Sequence, residues 1–250
     1  TNAELRMKQH LVSPAKQNLK TVNVIIDDSF NKSVCLDLES HLIKYFHADE
    51  KYLVLNGNGG ITDADYFERE SYRAAFDEIF KRLQESGQLT RSIPELVNSD
   101  LFKYSPFKAL TTDQAVSVEA ILELLFNVEG NADQNKNRPI VVQGDPGTGK
   151  TIVAVYLIKL LRDIARSAGD ESLDSDSLFS DFFQSGFREI AETMTIGLVI
   201  PQKSLRKTLQ RVFSRTPGLD ESMVMDPFEV GESEKVFDLL IVDEAHRLQQ

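Results

Sequence analysis

The chain has 250 residues, 41% of them apolar and 27% charged, which suits one large or two ordinary globular domains. Its formal net charge of −11 excludes a uniformly basic nucleic-acid coat and leaves room only for a local basic groove. The single cysteine, Cys35, excludes an internal disulfide and a cysteine-built zinc site, and its thiol is expected to be buried.

No run approaches the roughly 18 uncharged apolar residues of a membrane span. The start carries no apolar signal segment either, so a cytoplasmic protein with no membrane partner is the default expectation. In chain order, Ala3 to Leu11 reads as a helix closed by Pro14, and Val22 to Ile26 as a strand. Leu38, Leu42, Ile43 and Phe46 recur at helical spacing and predict an amphipathic helix over 36–46. A strand over 51–55 is expected next, then a glycine- and asparagine-rich loop from Asn56 to Gly60. Residues 64–87 read as one long helix stopped by Gly87. Residues 88–106, with Pro94 and Pro106, read as a linker, which places a domain boundary at 97/98.

A helix from Thr112 to Val128 follows, then a polar loop from Asn131 to Arg138 and an apolar strand over 139–143. Helices are expected over 149–166, 178–192 and 203–215, strands over 195–200 and 237–242, and a short strand at 223–225. An acidic solvated loop is expected over 167–176. Strands separated by helices predict an α/β fold with a parallel sheet covered on both faces.

Two motifs carry chemistry. Gly144-Asp145-Pro146-Gly147-Thr148-Gly149-Lys150-Thr151 fits the phosphate-binding pattern GxxxxGK[ST] between a strand and a helix. Its glycines let the backbone curl its amides toward an anion at a helix N-terminus, and Pro146 stiffens the turn. Lys150 is expected near the β- and γ-phosphates, and the Thr151 hydroxyl on Mg²⁺. The second motif, Asp243-Glu244-Ala245-His246, ends an apolar strand at the edge where parallel sheets bind ligands. Asp243 is the expected metal ligand and Glu244 the group that orients and deprotonates the attacking water. ATP with Mg²⁺ is therefore the expected ligand set. No Asn-Lys-x-Asp guanine-reading motif is present.

These two motifs together resemble the helicase-like ATPases of superfamilies 1 and 2, which implies a RecA-like core and a nucleic-acid partner, single- or double-stranded. Thr112-Asp113-Gln114 is similar to the glutamine motif of superfamily 1, which implies that Gln114 contacts adenine. Leu198 to Leu205 resembles the next helicase motif, which implies backbone contacts near Lys203, Arg206, Lys207 and Arg211. More narrowly, residues 98–250 resemble a bacterial family of helicase-like P-loop proteins related to the Schlafen ATPase domain. Phe213 to Leu219, Pro227-Phe228 and Phe237 to Leu248 carry that likeness. The further helicase motifs, with the arginines that sense the γ-phosphate, are not in this chain, so turnover is expected of a longer protein of which this is a section.

Residues 1–97 offer an arginine and a histidine four apart on one helical face, Arg6 and His10, and a carboxylate, Glu39, suited to a phosphodiester and a divalent metal. Thr1 to His10 and Leu38 to Ile43 resemble segments of GIY-YIG nucleases. The resemblance implies that Arg6 stabilises the scissile phosphate, that Glu39 holds the metal and that Asn56 lines the site. The strands bearing both family tyrosines are not in this chain, so the domain is expected to be partial and inactive. The leading expectation is a helicase-like ATPase module, residues 98–250, fused to this nuclease-like part. The alternative is a nucleotide-dependent switch or scaffold that binds protein partners without translocating.

Overall fold

The computed structural model describes residues 21–56, 69–126, 139–167 and 179–249, and the chain divides into two compact units, Thr1–Lys32 and Ser33–Gln250. The helix expected over 3–11 lies outside the described residues, as does the acidic stretch 168–178. In the first unit, residues 21–27 form no strand, and Val22 and Ile26 are solvent-exposed. An apolar β-branched run becomes a strand only when another strand takes up its backbone groups, and none does so among the described residues.

The second unit opens with helix α1, Lys32–Asp49, longer at both ends than its periodicity suggests. Cys35 sits on its outer face, exposed, contrary to the buried thiol expected. Tyr45 on the inner face packs edge-on against Phe80 at 4.9 Å and stacks on Phe102 at 5.8 Å. Asp37 is buried and receives two bonds of 3.1 Å from the Arg69 guanidinium. The strand expected over 51–55 is absent: Tyr52, Leu53 and Leu55 are exposed. A 3₁₀ turn, Arg69–Tyr72, leads into α2, Arg73–Glu85, which Gly87 ends at φ 70°.

Residues 88–106 are not a linker. They hold two short helices, α3 (Ile93–Asn98) and α4 (Asp100–Lys103), and Leu89, Leu96 and Leu101 are buried. Pro94 sits in the first turn of α3, where its missing N–H costs nothing. Ser92 and Glu95 close a capping box around it, with the Glu95 carboxylate accepting from Ser92 N at 2.8 Å.

The core lies around helix α6, Lys150–Arg166, whose middle, from Val153 to Leu161, is buried on every side. Helix α5, Thr112–Leu125, packs on one flank and α7, Ser185–Thr193, on another. Burying Lys159 depresses its ammonium pKa, while pairing with Asp163 pulls the other way. The Lys159 ammonium also lies 5.5 Å from the centre of the Phe107 ring.

Three parallel strands form the sheet in the order β2-β1-β3: β1 is Ile196–Val199, β2 Val224–Met225 and β3 Leu239–Val242. β1 is central and fully buried, which matches its uninterrupted apolar run. Between β1 and β2 runs α8, Lys203–Ser214, and a short α9, Pro227–Glu232, precedes β3. The expected strand over 139–143 does not join the sheet. That segment leaves Ile140, Val141 and Val142 exposed by 41%, 72% and 43%, because no strand lies beside it among the described residues. No described helix is long and apolar enough to cross a membrane.

Candidate functional site

The glycine-rich loop runs from Gly144 into the first turn of α6. Gly147 and Gly149 take φ of 84° and 86°, the left-handed region closed to most side chains. Thr148 braces the turn: both its amide, at 3.3 Å, and its hydroxyl, at 2.8 Å, donate to the Asp145 carbonyl. The amides of Gly149, Lys150 and Thr151 start a helix, where no internal acceptor exists for them, and no other described group takes them up. They therefore face the loop as donors for an anion, with the positive end of the α6 dipole behind them. Lys150 Nζ donates to the carbonyls of Gly144 at 2.7 Å and Asp145 at 3.0 Å, which holds the ammonium over the loop.

Gln114 reaches the same loop from α5. Its carboxamide oxygen accepts from Thr111 N at 3.1 Å, completing a capping box, and its Nε2 donates to the Thr148 carbonyl at 2.8 Å. The contact is so close that a Cβ on Gly149 would lie 2.7 Å from Gln114 Nε2. Gln114 thus bears directly on the shape of the phosphate loop, a role its motif alone does not predict.

The two motifs, 92 residues apart in sequence, meet at one bond. Thr151 Oγ1 donates to Asp243 Oδ2 at 2.6 Å. Asp243 is 9% exposed and anchored at the end of β3: its amide donates to the Val199 carbonyl at 3.1 Å, and its Oδ1 accepts from Glu244 N at 3.0 Å. A hydroxyl and a carboxylate side by side are hard oxygen donors of the kind Mg²⁺ takes, and two protein ligands leave the remaining positions to phosphate and water. The residues present fit the ion.

Glu244 follows with φ 53°, rare for a non-glycine residue and a form of strain found at functional sites. Its carboxylate lies 3.3 Å from His246 Nε2 and 3.2 Å from Arg247 Nε. Arg247 carried no expected role. Its spacing of three from Glu244 is the signal that would have flagged the pair.

One expected contact falls elsewhere. Arg206 turns inward: it donates to the Ile200 carbonyl at 2.9 Å and pairs with Asp226 at 3.6 Å, so it supports the β1–α8 turn and leaves only 15% of its side chain exposed. The amides of Glu229 and Phe228, together with Arg206, hold the Asp226 carboxyl below its ordinary pKa. Lys203, Lys207 and Arg211 are exposed on α8 as expected. In the first hundred residues, Arg6 and His10 lie outside the described residues. Glu39 is half-buried on α1, its neighbour Asp37 is committed to Arg69, and no group of three metal-ligating side chains occurs among the described residues.

Fold and site together define an α/β module in which a glycine-rich loop at a helix N-terminus meets a strand-end acid. Residues 137–250 match the family model described as Schlafen group 3, DNA/RNA helicase domain, so this stretch is similar to the helicase-like domain of that group. The match covers a little under half of the chain. No curated protein and no solved structure matches the chain.

Proposed function

We propose that residues 98–250 form an ATP-binding, helicase-like module with a RecA-type core that acts on nucleic acid. The observation that carries this reading is the 2.6 Å bond between Thr151 and Asp243, which brings the phosphate loop and the strand-end acid into one oxygen-lined site. In it the loop amides and Lys150 bind the phosphates, Gln114 braces the loop within reach of a base, and Thr151 and Asp243 hold Mg²⁺. Bound there, Mg²⁺ neutralises charge on the β- and γ-phosphates. Glu244 orients the attacking water and takes its proton. In the present arrangement His246 and Arg247 hold the Glu244 carboxylate.

The test is calorimetry of Mg-ATP on the wild type and on Lys150→Ala. Affinity should fall steeply in the variant, and equal affinities would remove the assignment. ATP turnover stimulated by single-stranded DNA or RNA separates this reading from a nucleotide-operated scaffold for protein partners, the use to which the net charge of −11 is better suited. For residues 1–97 we propose descent from a GIY-YIG nuclease domain, a reading that rests on the resemblance of Arg6, Glu39 and the segments around them.

A further inference from the structure

Outside the phosphate loop, one carboxylate is enclosed by three guanidiniums. Glu50 follows the last residue of α1 and is only 10% exposed. Its Oε2 lies 2.7 Å from Arg211 Nη2 and 3.0 Å from Arg91 Nη2, and its Oε1 lies 3.5 Å from Arg215 Nε. The acid is inside and the bases are outside: Arg91, Arg211 and Arg215 are 38%, 61% and 55% exposed. Neighbouring Asp49 adds a second buried carboxylate, 4% exposed, whose Oδ1 accepts from Thr90 N, Thr90 Oγ1 and Arg91 N, each at 2.9 Å, so the charge that faces solvent is still that of the guanidiniums. A hollow of about 260 Å³ opens here, lined by Glu50, Arg91, Ser99, Asp100, Thr208 and Arg211, with the Asp100 carboxylate accepting from Thr208 Oγ1 at 3.2 Å.

Two further observations give the cluster a direction. Lys203, Lys207, Arg211 and Arg215 are all exposed and repeat every four residues along α8 and its C-cap. Each step advances about 6 Å along the axis and drifts about 40°, so the four cations form one shallow spiral ridge. Lys203 and Lys207 have no acidic partner among the described residues. A ridge of four exposed cations that share one buried carboxylate, on a chain of net charge −11, marks a place for a polyanion. Among the described residues, the only two non-glycine residues with positive φ are Glu244 and Glu50, the latter at 62°. Glu50 is thus held in a backbone form that an isolated glutamate would leave.

We propose that Arg91, Arg211 and Arg215 form a backbone-phosphate subsite at the far end of the α8 ridge, with Glu50 as the internal anion that competes for it. This rests on the nucleic-acid reading above and extends it: Arg211 and Arg215 lie within the residues matched to the helicase family, whereas Glu50 and Arg91 precede them and belong to none of the motifs that support that reading. A phosphate of the bound strand takes the guanidiniums bidentately and Glu50 gives way, relieving its backbone strain. The contact would tie the end of α1 to strand occupancy on the helicase-like lobe.

The test measures binding of an oligothymidylate to the 250-residue chain as a function of salt. Arg215→Gln should weaken binding several-fold and reduce the log–log salt slope by about one, as loss of a phosphate contact does. Glu50→Gln, which keeps the shape and removes the competing charge, should tighten binding several-fold at low salt. Lys203→Gln probes the ridge's other end. If Lys203→Gln lowers the slope while Arg211→Gln and Arg215→Gln leave it unchanged, the subsite is wrong and the nucleic-acid reading stands. No binding by the wild type would remove the reading and the subsite together. Should Glu50→Gln lower the melting temperature, Arg215→Gln still decides, because its side chain is more than half exposed and its loss does not open the core. Glu50→Gln with unchanged melting and unchanged or weaker binding would overturn the competition.

Discussion

His47 gives the most direct measure of whether α1 and the helicase-like lobe fold as one body. It sits 2% exposed near the end of α1, with Nε2 3.2 Å from Thr216 Oγ1 beyond α8 and its ring 5.1 Å from Phe107. Burial lowers its pKa to about 4, and the Lys159 ammonium adds to the effect, while the Leu101 backbone and Glu50 oppose it. In the unfolded chain the ring should titrate near 6.5. Between those values the unfolded state binds the extra proton, so stability is full above about pH 7 and falls as the pH drops through 6.5 toward 4. The whole window is worth about 3 kcal/mol, and about 2 kcal/mol of it is lost by pH 5. The assay is urea unfolding at pH 7.5, 6 and 5 for the wild type and His47→Gln. The variant still fills the site but cannot take up the proton, so the difference between the two proteins isolates this histidine from the carboxylates. Parallel pH profiles for the two proteins would refute the reasoning, and with it the packing of α1 against Thr216 and Phe107.

Gly149→Ala must hold a side chain at φ 86° and push its Cβ to 2.7 Å from Gln114 Nε2. At roughly 1–2 kcal/mol for the left-handed backbone alone, Mg-ATP affinity should fall about tenfold by calorimetry, and unchanged binding would mean the loop adopts another form. Glu244→Gln in the full gene product should retain ATP and lose roughly 10²-fold or more in turnover, the scale of general-base removal. A variant as fast as wild type would assign the water to another residue. Plasmid incubated with the 250-residue chain and Mg²⁺ or Mn²⁺ should remain uncut, since Asp37 is committed to Arg69 and leaves Glu39 without a second acid. Nicking abolished by Glu39→Ala would contradict that.

What the sequence determined alone was local. Helices α1, α2, α5, α6 and α8 follow from apolar spacing within a few turns, and the phosphate loop from glycines whose demands are set by their own backbone. The cap at Ser92–Glu95 was equally local, and Pro94 hid it by reading as a linker breaker when it opens a helix. Strands were legible only where a partner exists: β1 pairs with both β2 and β3, whereas 22–26, 51–55 and 139–143 carry a similar apolar signal with no strand beside them among the described residues. A strand's stability lies in bonds to distant residues, so a pattern of side chains cannot certify it. Only the tertiary structure could place Gln114 on the Thr148 carbonyl, Thr151 on Asp243, and Glu50 among Arg91, Arg211 and Arg215, contacts that span 34, 92 and, from Glu50 to Arg215, 165 residues of sequence. Each depends on where packed helices bring side chains together, and that is a property of the assembled core, which no stretch of the chain encodes by itself.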